Sequence, residues 1–530
     1  MAVILRSTWN IEENDKQYLW YGITGTSPNL DENKIVNNIA ELLEENFTDI
    51  GDLWWSIGKK LGKTRGGNLA HLPTAASYNS DFGQFLAWTK LTKKLAAKQE
   101  KYLAICDDPW VYRQLSMIPG VSSVRPPPLW KKKYFLIVRG YLARLRLVVK
   151  NLIALLLFIG KKKSAKKHQM AIVAYAHPSS TPEGFDAYFG DLMKLIPSIL
   201  RLIHTDGSIK FSRSLIGEQT FSLHSWGNAV FCLSLIFKKW APDFTEIKSN
   251  YLWLIKRSVL IENGSAVIAG NAWQMYCQER CIKTLMPKKV LWPWENHPWE
   301  RELTRSAHKE GIQTLGYQHA VIGIQQFNPC PRSNVDGLKS IPSKVICSGL
   351  AYYKQLIKWG IPEDKLVVGG AFRFKKSDNV KYDPKGPVFV AASADAKITE
   401  TLMKSVTLAQ GKGRKFIVKM HPLYPQKIIE SKDILITKNT IPEQDKISAV
   451  VYGTGASGLE GLLAGIPTFR LRLHDKVAVN VLPEGVDAVP FSVNELGEKL
   501  DKAVPPREVS WENIYAPVIL DVWREQLLVK

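Results

Sequence analysis

Short apolar runs that stop at a polar or glycine residue recur along this 530-residue chain, with helical stretches between them. Ala2–Arg6, Tyr102–Cys106, Ala171–Tyr175, Ala266–Ile268, Val290–Trp292 and Thr314–Tyr317 read as strands in the first part. Leu366–Val368, Val388–Ala391, Phe416–Lys419, Ala449–Tyr452 and Thr468–Leu471 do so in the second. Fully apolar strands alternating with helices are the pattern of βα units and parallel sheets buried on both faces. Such sheets place ligands beyond the carboxyl ends of their strands, where several of these runs give way to Gly-rich or polar residues. The length suits about three domains or two large ones. The spacing predicts two facing Rossmann-like α/β domains: an N-terminal one over 1–345, a C-terminal one over 346–505, and a closing helix over 506–530 that packs back on the first. In this reading Leu366–Val368 opens the second sheet.

The charge is unusual, with 71 Lys+Arg against 49 Asp+Glu, or +22. About half of that excess lies in residues 131–168, which contain no acid. Local basicity of this kind argues against a general nucleic-acid binder. The segment's longest uncharged run is Asn151–Gly160, far short of the roughly 20 residues of a membrane span. On a helix, however, Val138, Leu142, Leu145, Val149, Leu152, Ile153 and Leu156 form one stripe, with Arg139, Arg144, Arg146 and Lys150 off it. Lys131, Lys132, Lys133 and Lys161, Lys162, Lys163 flank it, placed for anionic head groups. The expected element is a basic amphipathic helix in a membrane interface; a buried helix with basic flanks and a spanning or re-entrant hairpin are the alternatives. No secretory leader is evident at the start, and six scattered cysteines without a CxxC pair suit a reducing compartment. The expected location is peripheral, on the cytoplasmic face of a membrane.

Four segments carry candidate chemistry. In Val450–Pro467 a strand runs into Gly453-Thr454-Gly455-Ala456-Ser457 and a helix; glycines, hydroxyls and a helix start suit a phosphate, and Glu460 suits ribose hydroxyls. A plain tight β-α turn explains the same residues. In Lys415–Pro422 a strand ends on Lys419 and His421, where an imidazole could serve a leaving phosphate. In Leu291–Glu300, Glu295 follows a strand among tryptophans that suit sugar stacking and would raise a carboxyl pKa, and His319 follows the next strand. A salt bridge or cap is the plain alternative for Glu295. The polar, aromatic loop Ala176–Asp191 reads as a sugar loop or a connection. No metal-ligand constellation is found, and Asp107-Asp108 reads as a strand-end turn.

These segments together resemble the GT-B glycosyltransferases of bacterial surface-polysaccharide (O-antigen, lipopolysaccharide or capsule) biosynthesis. Lys-Met-His-Pro at 419–422 followed by the Thr454/Ser457 turn is similar to the motifs of CMP-sugar-dependent Kdo and sialyl (nonulosonate) transferases. The resemblance implies that His421, Thr454 and Ser457 bind the CMP phosphate and that Glu295 and His319 serve the acceptor. It implies an acidic-sugar transferase, with Glu295 as base or nucleophile. It also implies a lipid-linked glycan acceptor and no cofactor beyond the CMP-sugar donor. Backbone amides, a helix dipole and cationic side chains would stabilise the departing phosphate, so no metal is expected, and the concentration of positive charge on an apolar segment leaves no nucleic-acid partner expected. A CDP-glycerol- or ribitol-type phosphate transferase and a non-catalytic membrane scaffold are the rival readings.

Overall fold

The computed structural model describes residues 2–25, 30–74, 80–160, 169–205, 207–374, 379–411, 413–421 and 424–528. Lys161, Lys162 and Lys163, and Pro422 of the His-Pro pair, lie outside the described residues. Every pairing within the three main sheets is parallel.

The central sheet has seven strands, in the order Leu366–Val368, Lys344–Cys347, Gln313–Gln318, Lys289–Pro293, Met170–Ala174, Ile199–Ile203, Thr220–Ser222. The C-terminal sheet has six: Ile434–Thr437, Phe416–Lys419, Val388–Ala391, Ala449–Tyr452, Thr468–Leu471, Val489–Phe491. Numbered by chain order within each sheet, both run 3-2-1-4-5-6, with one more edge strand in the central sheet. This is the doubly wound Rossmann order, which opens a ligand crevice where the chain reverses direction between strands 1 and 4. The fold class is therefore α/β with two Rossmann-type sheets, as in the GT-B arrangement. Leu459, Leu462, Val479 and Leu482 of the C-terminal half enter the same apolar core as Trp54, Phe327 and Tyr352 of the first half. Glu44 also receives Arg470 and Arg472 across the junction.

Three expectations change. Leu366–Val368 pairs with Val345–Cys347 and is the edge of the central sheet, so the C-terminal sheet begins at Val388–Ala391. Ala266–Ile268 is not a strand: helix Val267–Leu285 starts there, because Ile268, Ala272, Trp273, Cys277, Cys281 and Leu285 recur at helical spacing and are buried. Residues 1–125 build their own four-stranded sheet, ordered Leu19–Thr24, Tyr102–Cys106, Val3–Arg6, Val121–Ser123, rather than extending the central one.

Asp108 is not a mere turn residue. Its Oδ1 accepts the amides of Trp110 and Val111 and so caps helix Pro109–Ser116. Its Oδ2 takes Arg257 and Lys132, each at 2.8 Å. The last residues fold back: helix Leu520–Leu527 places Trp523 against Tyr317 and Phe372, its indole donating to the Gly369 carbonyl.

Residues Leu129–Phe158 form a single helix of 30 residues. Among the described residues no helix is long and apolar enough to cross a membrane.

Candidate active site

The first crevice lies beyond strands Met170–Ala174 and Lys289–Pro293, the reversal point of the central sheet. Glu295 sits two residues past the second of these. Its backbone is strapped down by Glu300, from the first turn of helix Pro298–Lys309. One Glu300 oxygen accepts the amides of Glu295 and Asn296, both at 2.8 Å, and the Trp292 indole. Between Glu295 and His297, Asn296 holds a left-handed φ of 60°, a conformation that asparagine tolerates and that reverses the chain here. Its side chain is pinned to Asn328 and Asn334. Burial pushes the Glu300 carboxyl up to about 7, with the Glu295 charge adding to the rise.

Two imidazoles converge on Glu295. His297 Nε2 is 2.7 Å from one carboxylate oxygen, and His319 Nε2 is 3.5 Å from the other. Burial opposes ionisation of Glu295, but the two histidines outweigh it and hold the carboxyl well below its usual range. The expected raised pKa is thus reversed. Burial likewise disfavours the charged form of His297, and Glu295 overrides it, so this imidazole is raised. At His319 burial wins, and the pKa is lowered. Arg373 Nη1 lies 3.3 Å from His319 Nδ1. A guanidinium can only donate, so Nδ1 accepts and the His319 proton sits on Nε2, toward Glu295. Tyr188 stands edge-on to the His319 ring at 4.9 Å, and His177 edge-on to Tyr188. The loop 176–191 therefore joins the site. Trp292, Trp294 and Trp299 do not line it as sugar-stacking rings: all three are buried, and Trp299 packs on Tyr175 and His204.

The second crevice lies beyond Val388–Ala391 and Ala449–Tyr452, where Gly453–Ser457 turns into helix Ser457–Leu463. Packing accounts for two of its glycines. A Cβ on Gly453 would fall 2.2 Å from Ile398, and one on Gly458 2.1 Å from the Tyr452 ring. Gly455 differs: its φ is 120° and open space lies around it. Thr454 Oγ1 donates to the Val479 carbonyl at 2.8 Å, which fixes the turn. Lys419 and His421 end the strand two places away, roughly 10 Å along the sheet edge. Lys419 Nζ is bonded to the Lys438 carbonyl, and the His421 ring, lowered in pKa by burial, lies 5.4 Å from Tyr424. Burial raises the Glu460 carboxyl against the opposing charges of Arg373 and Lys419.

Arg373 ties the two crevices together. Bonded to His319 and set over the Tyr188 ring at 5.4 Å, it also acts electrostatically on Glu460. It is exposed and has no carboxylate partner within ion-pair distance among the described residues. The sequence singles out neither Arg373 nor the His297–Glu295 pairing; for the pairing the position of Glu295 just past a strand is the available signal, and for Arg373 there is none. Among the described residues no group of three or more His, Cys, Asp or Glu is arranged to hold a metal ion. A cavity of about 820 Å³ lies elsewhere, between Lys354, Lys358, Leu462, Asp487 and Arg507, and includes none of these side chains.

No family model matches the chain, and no curated protein matches it in sequence. Among solved structures it is similar to the S. aureus MnaA–UDP co-structure, at 12% identity over 68% of this chain and 97% of that one, with a TM-score of 0.37. It is similar to the UDP-GlcNAc 2-epimerase from Neisseria meningitidis bound to UDP-GlcNAc, at 13% identity over 68% and 99%, with a TM-score of 0.36. It is also similar to MurG of Acinetobacter baumannii, at 11% identity over 63% and 89%, with a TM-score of 0.33. At such scores these likenesses assign neither donor nor reaction.

Proposed function

We propose that the protein is a glycosyltransferase that moves an acidic sugar, a nonulosonate or Kdo, from a CMP-sugar to a lipid-linked surface glycan. The observation that supports this reading most is the meeting of two Rossmann reversal points through Arg373. One carries a carboxylate–imidazole pair, and the other an open glycine turn with Lys419 and His421 along the same sheet edge. In this account the CMP phosphate lies between His421, the Gly455 backbone and Ser457, with Arg373 closing over it and Lys419 swinging in from Lys438. Glu460 accepts the ribose hydroxyls. These fixed charges stabilise the phosphate as it departs.

The acceptor hydroxyl meets His297. Because Nε2 donates to Glu295, Nδ1 is the atom that takes the acceptor's proton, and the carboxylate stabilises the imidazolium that forms. The acceptor oxygen bonds to the anomeric carbon while the sugar–phosphate C–O bond breaks, its electrons leaving on CMP. His319 holds Glu295 and Arg373 in register across the junction.

The test is transfer from CMP-activated acidic sugars to a lipid-linked acceptor, read by product mass. A product heavier by one sugar residue, with CMP released, is the expected result. A gain containing phosphorus from a CDP-polyol donor would replace the reading with the polyol-phosphate one.

A further inference from the structure

Helix Leu129–Phe158 is buried on one side only. Leu136, Gly140, Arg144, Val148, Asn151, Ala154, Leu155 and Phe158 face the protein. Arg144 spends its guanidinium on the carbonyls of Ile236 and Asn263, and Lys132 pairs with Asp108. The opposite arc is apolar and open: Val138, Leu142, Leu145, Val149, Ile153 and Leu156 all face outward, with Leu142 62% and Leu156 78% exposed, whereas Leu152, expected on the same stripe, is half-buried and packs against the core because it lies at the edge of the arc. At about 100° per residue, Arg139, Arg146 and Lys150 follow one another along a single flank of that arc, with Arg139 also donating through Nε to the Gly264 carbonyl at 2.6 Å. The other flank does not end at the helix. Helix Ala229–Ser234 and the turn Leu235–Phe237 pack beside it, with the Cys232 thiol donating to the Val148 carbonyl. They add Val230 at 76% and Phe237 at 74% exposure, with Leu233 also open. Lys238 and Lys239 follow immediately. Neither 129–160 nor 229–239 contains an Asp or Glu.

We infer that these two elements form one bipartite surface that seats the protein on an anionic lipid bilayer. The long helix lies in the plane of the interface along roughly 45 Å. Charge complementarity selects this occupant: a broad apolar strip, Lys and Arg along its rims and no carboxylate anywhere on it match acyl chains below and anionic head groups beside them. The basic flank snorkels while the apolar arc enters. Insertion across the bilayer is opposed by the buried face, whose Arg144 and Asn151 would have to leave the protein. The surface stands whether or not the crevices take a nucleotide sugar.

The test is cosedimentation of the full chain with vesicles of pure phosphatidylcholine and with vesicles containing phosphatidylglycerol. The chain is taken as wild type, Leu142→Glu/Leu156→Glu, and Val230→Glu/Phe237→Glu. All four positions are exposed, so the variants are expected to melt with the wild type. Binding to the anionic vesicles is expected to exceed that to the neutral ones and to fall at least about tenfold in each double variant. Undiminished binding by the Val230→Glu/Phe237→Glu variant would overturn the bipartite surface. Equal binding to both vesicle types would overturn the anionic preference. A wild-type dimer that the same substitutions turn into a monomer, with no vesicle binding, would assign the face to a second copy of the chain instead.

Discussion

Glu295→Gln is expected to lower transfer by roughly 10²–10⁴-fold, the range that a positioned acid–base group supplies, while the protein stays folded. Gln keeps the shape but cannot stabilise an imidazolium at His297 or hold His319 through a charge. The pH profile separates this account from a merely structural role. In the wild type the neutral imidazole is the active form, and Glu295 raises its pKa against the pull of burial. The rate should therefore climb with pH, with a midpoint above the 6.5 of an ordinary histidine. In Glu295→Gln the carboxylate is gone and burial remains, so the midpoint of any residual activity should move down. Near-normal turnover in the variant would remove Glu295 from the mechanism. A wild-type rate that falls over the same pH range would make His297 an acid rather than a base.

The second large effect concerns stability. Asp108→Ala is expected to cost roughly 3–5 kcal/mol, the cost of breaking a buried ion pair, including about 1 kcal/mol for the lost helix cap. One carboxylate here serves three elements: helix Pro109–Ser116, helix Leu252–Asn263 through Arg257, and the long helix through Lys132. Arg257 is buried and would keep, besides the face of the Phe85 ring, only its bidentate ion pair with Asp81, which is half exposed. Burial disfavours the Asp108 charge, but Arg257 and Lys132 outweigh it, so its pKa is lowered. A lowered carboxyl contributes stability above its unfolded value, near 4, and loses it as pH falls through the folded value. Wild type and Asp108→Asn should therefore converge in acid and diverge at neutral pH in urea titrations. A loss under about 1 kcal/mol in Asp108→Ala would show that Asp81 and solvent replace the contact.

Much of the fold was legible because parallel strands covered on both faces read as bare apolar runs. Val388–Ala391 and Ala449–Tyr452 are the clearest examples. Ile199–Ile203 was missed because it carries Arg201 at its centre, a charge the run can bury only because Asp186 and the Thr181 and Phe185 carbonyls receive it. Ala266–Ile268 misled for the opposite reason, since three apolar residues cannot distinguish a strand from the start of a helix. At the site, Glu295 and His319 could be placed at one sheet edge from their strand-end positions. That Glu295 would be pulled down by two imidazoles rather than pushed up by tryptophans depends on side-chain directions, which no spacing encodes. Arg373 stands 54 residues from its His319 partner, in a segment with no motif. On the long helix, the stripe was readable from periodicity, but Arg144 turned inward to cap carbonyls of other elements and Lys132 to an ion pair.

Nucleotide binding tests the central reading most directly. Wild type, His421→Ala and Arg373→Ala would be titrated with CMP, CDP, UDP and GDP, following thermal stability, which rises with any ligand that binds only the folded state. Selective stabilisation by CMP, lost or strongly weakened in both variants, is the expected result. Preference for UDP or GDP, or a CMP response that both variants retain in full, would contradict it.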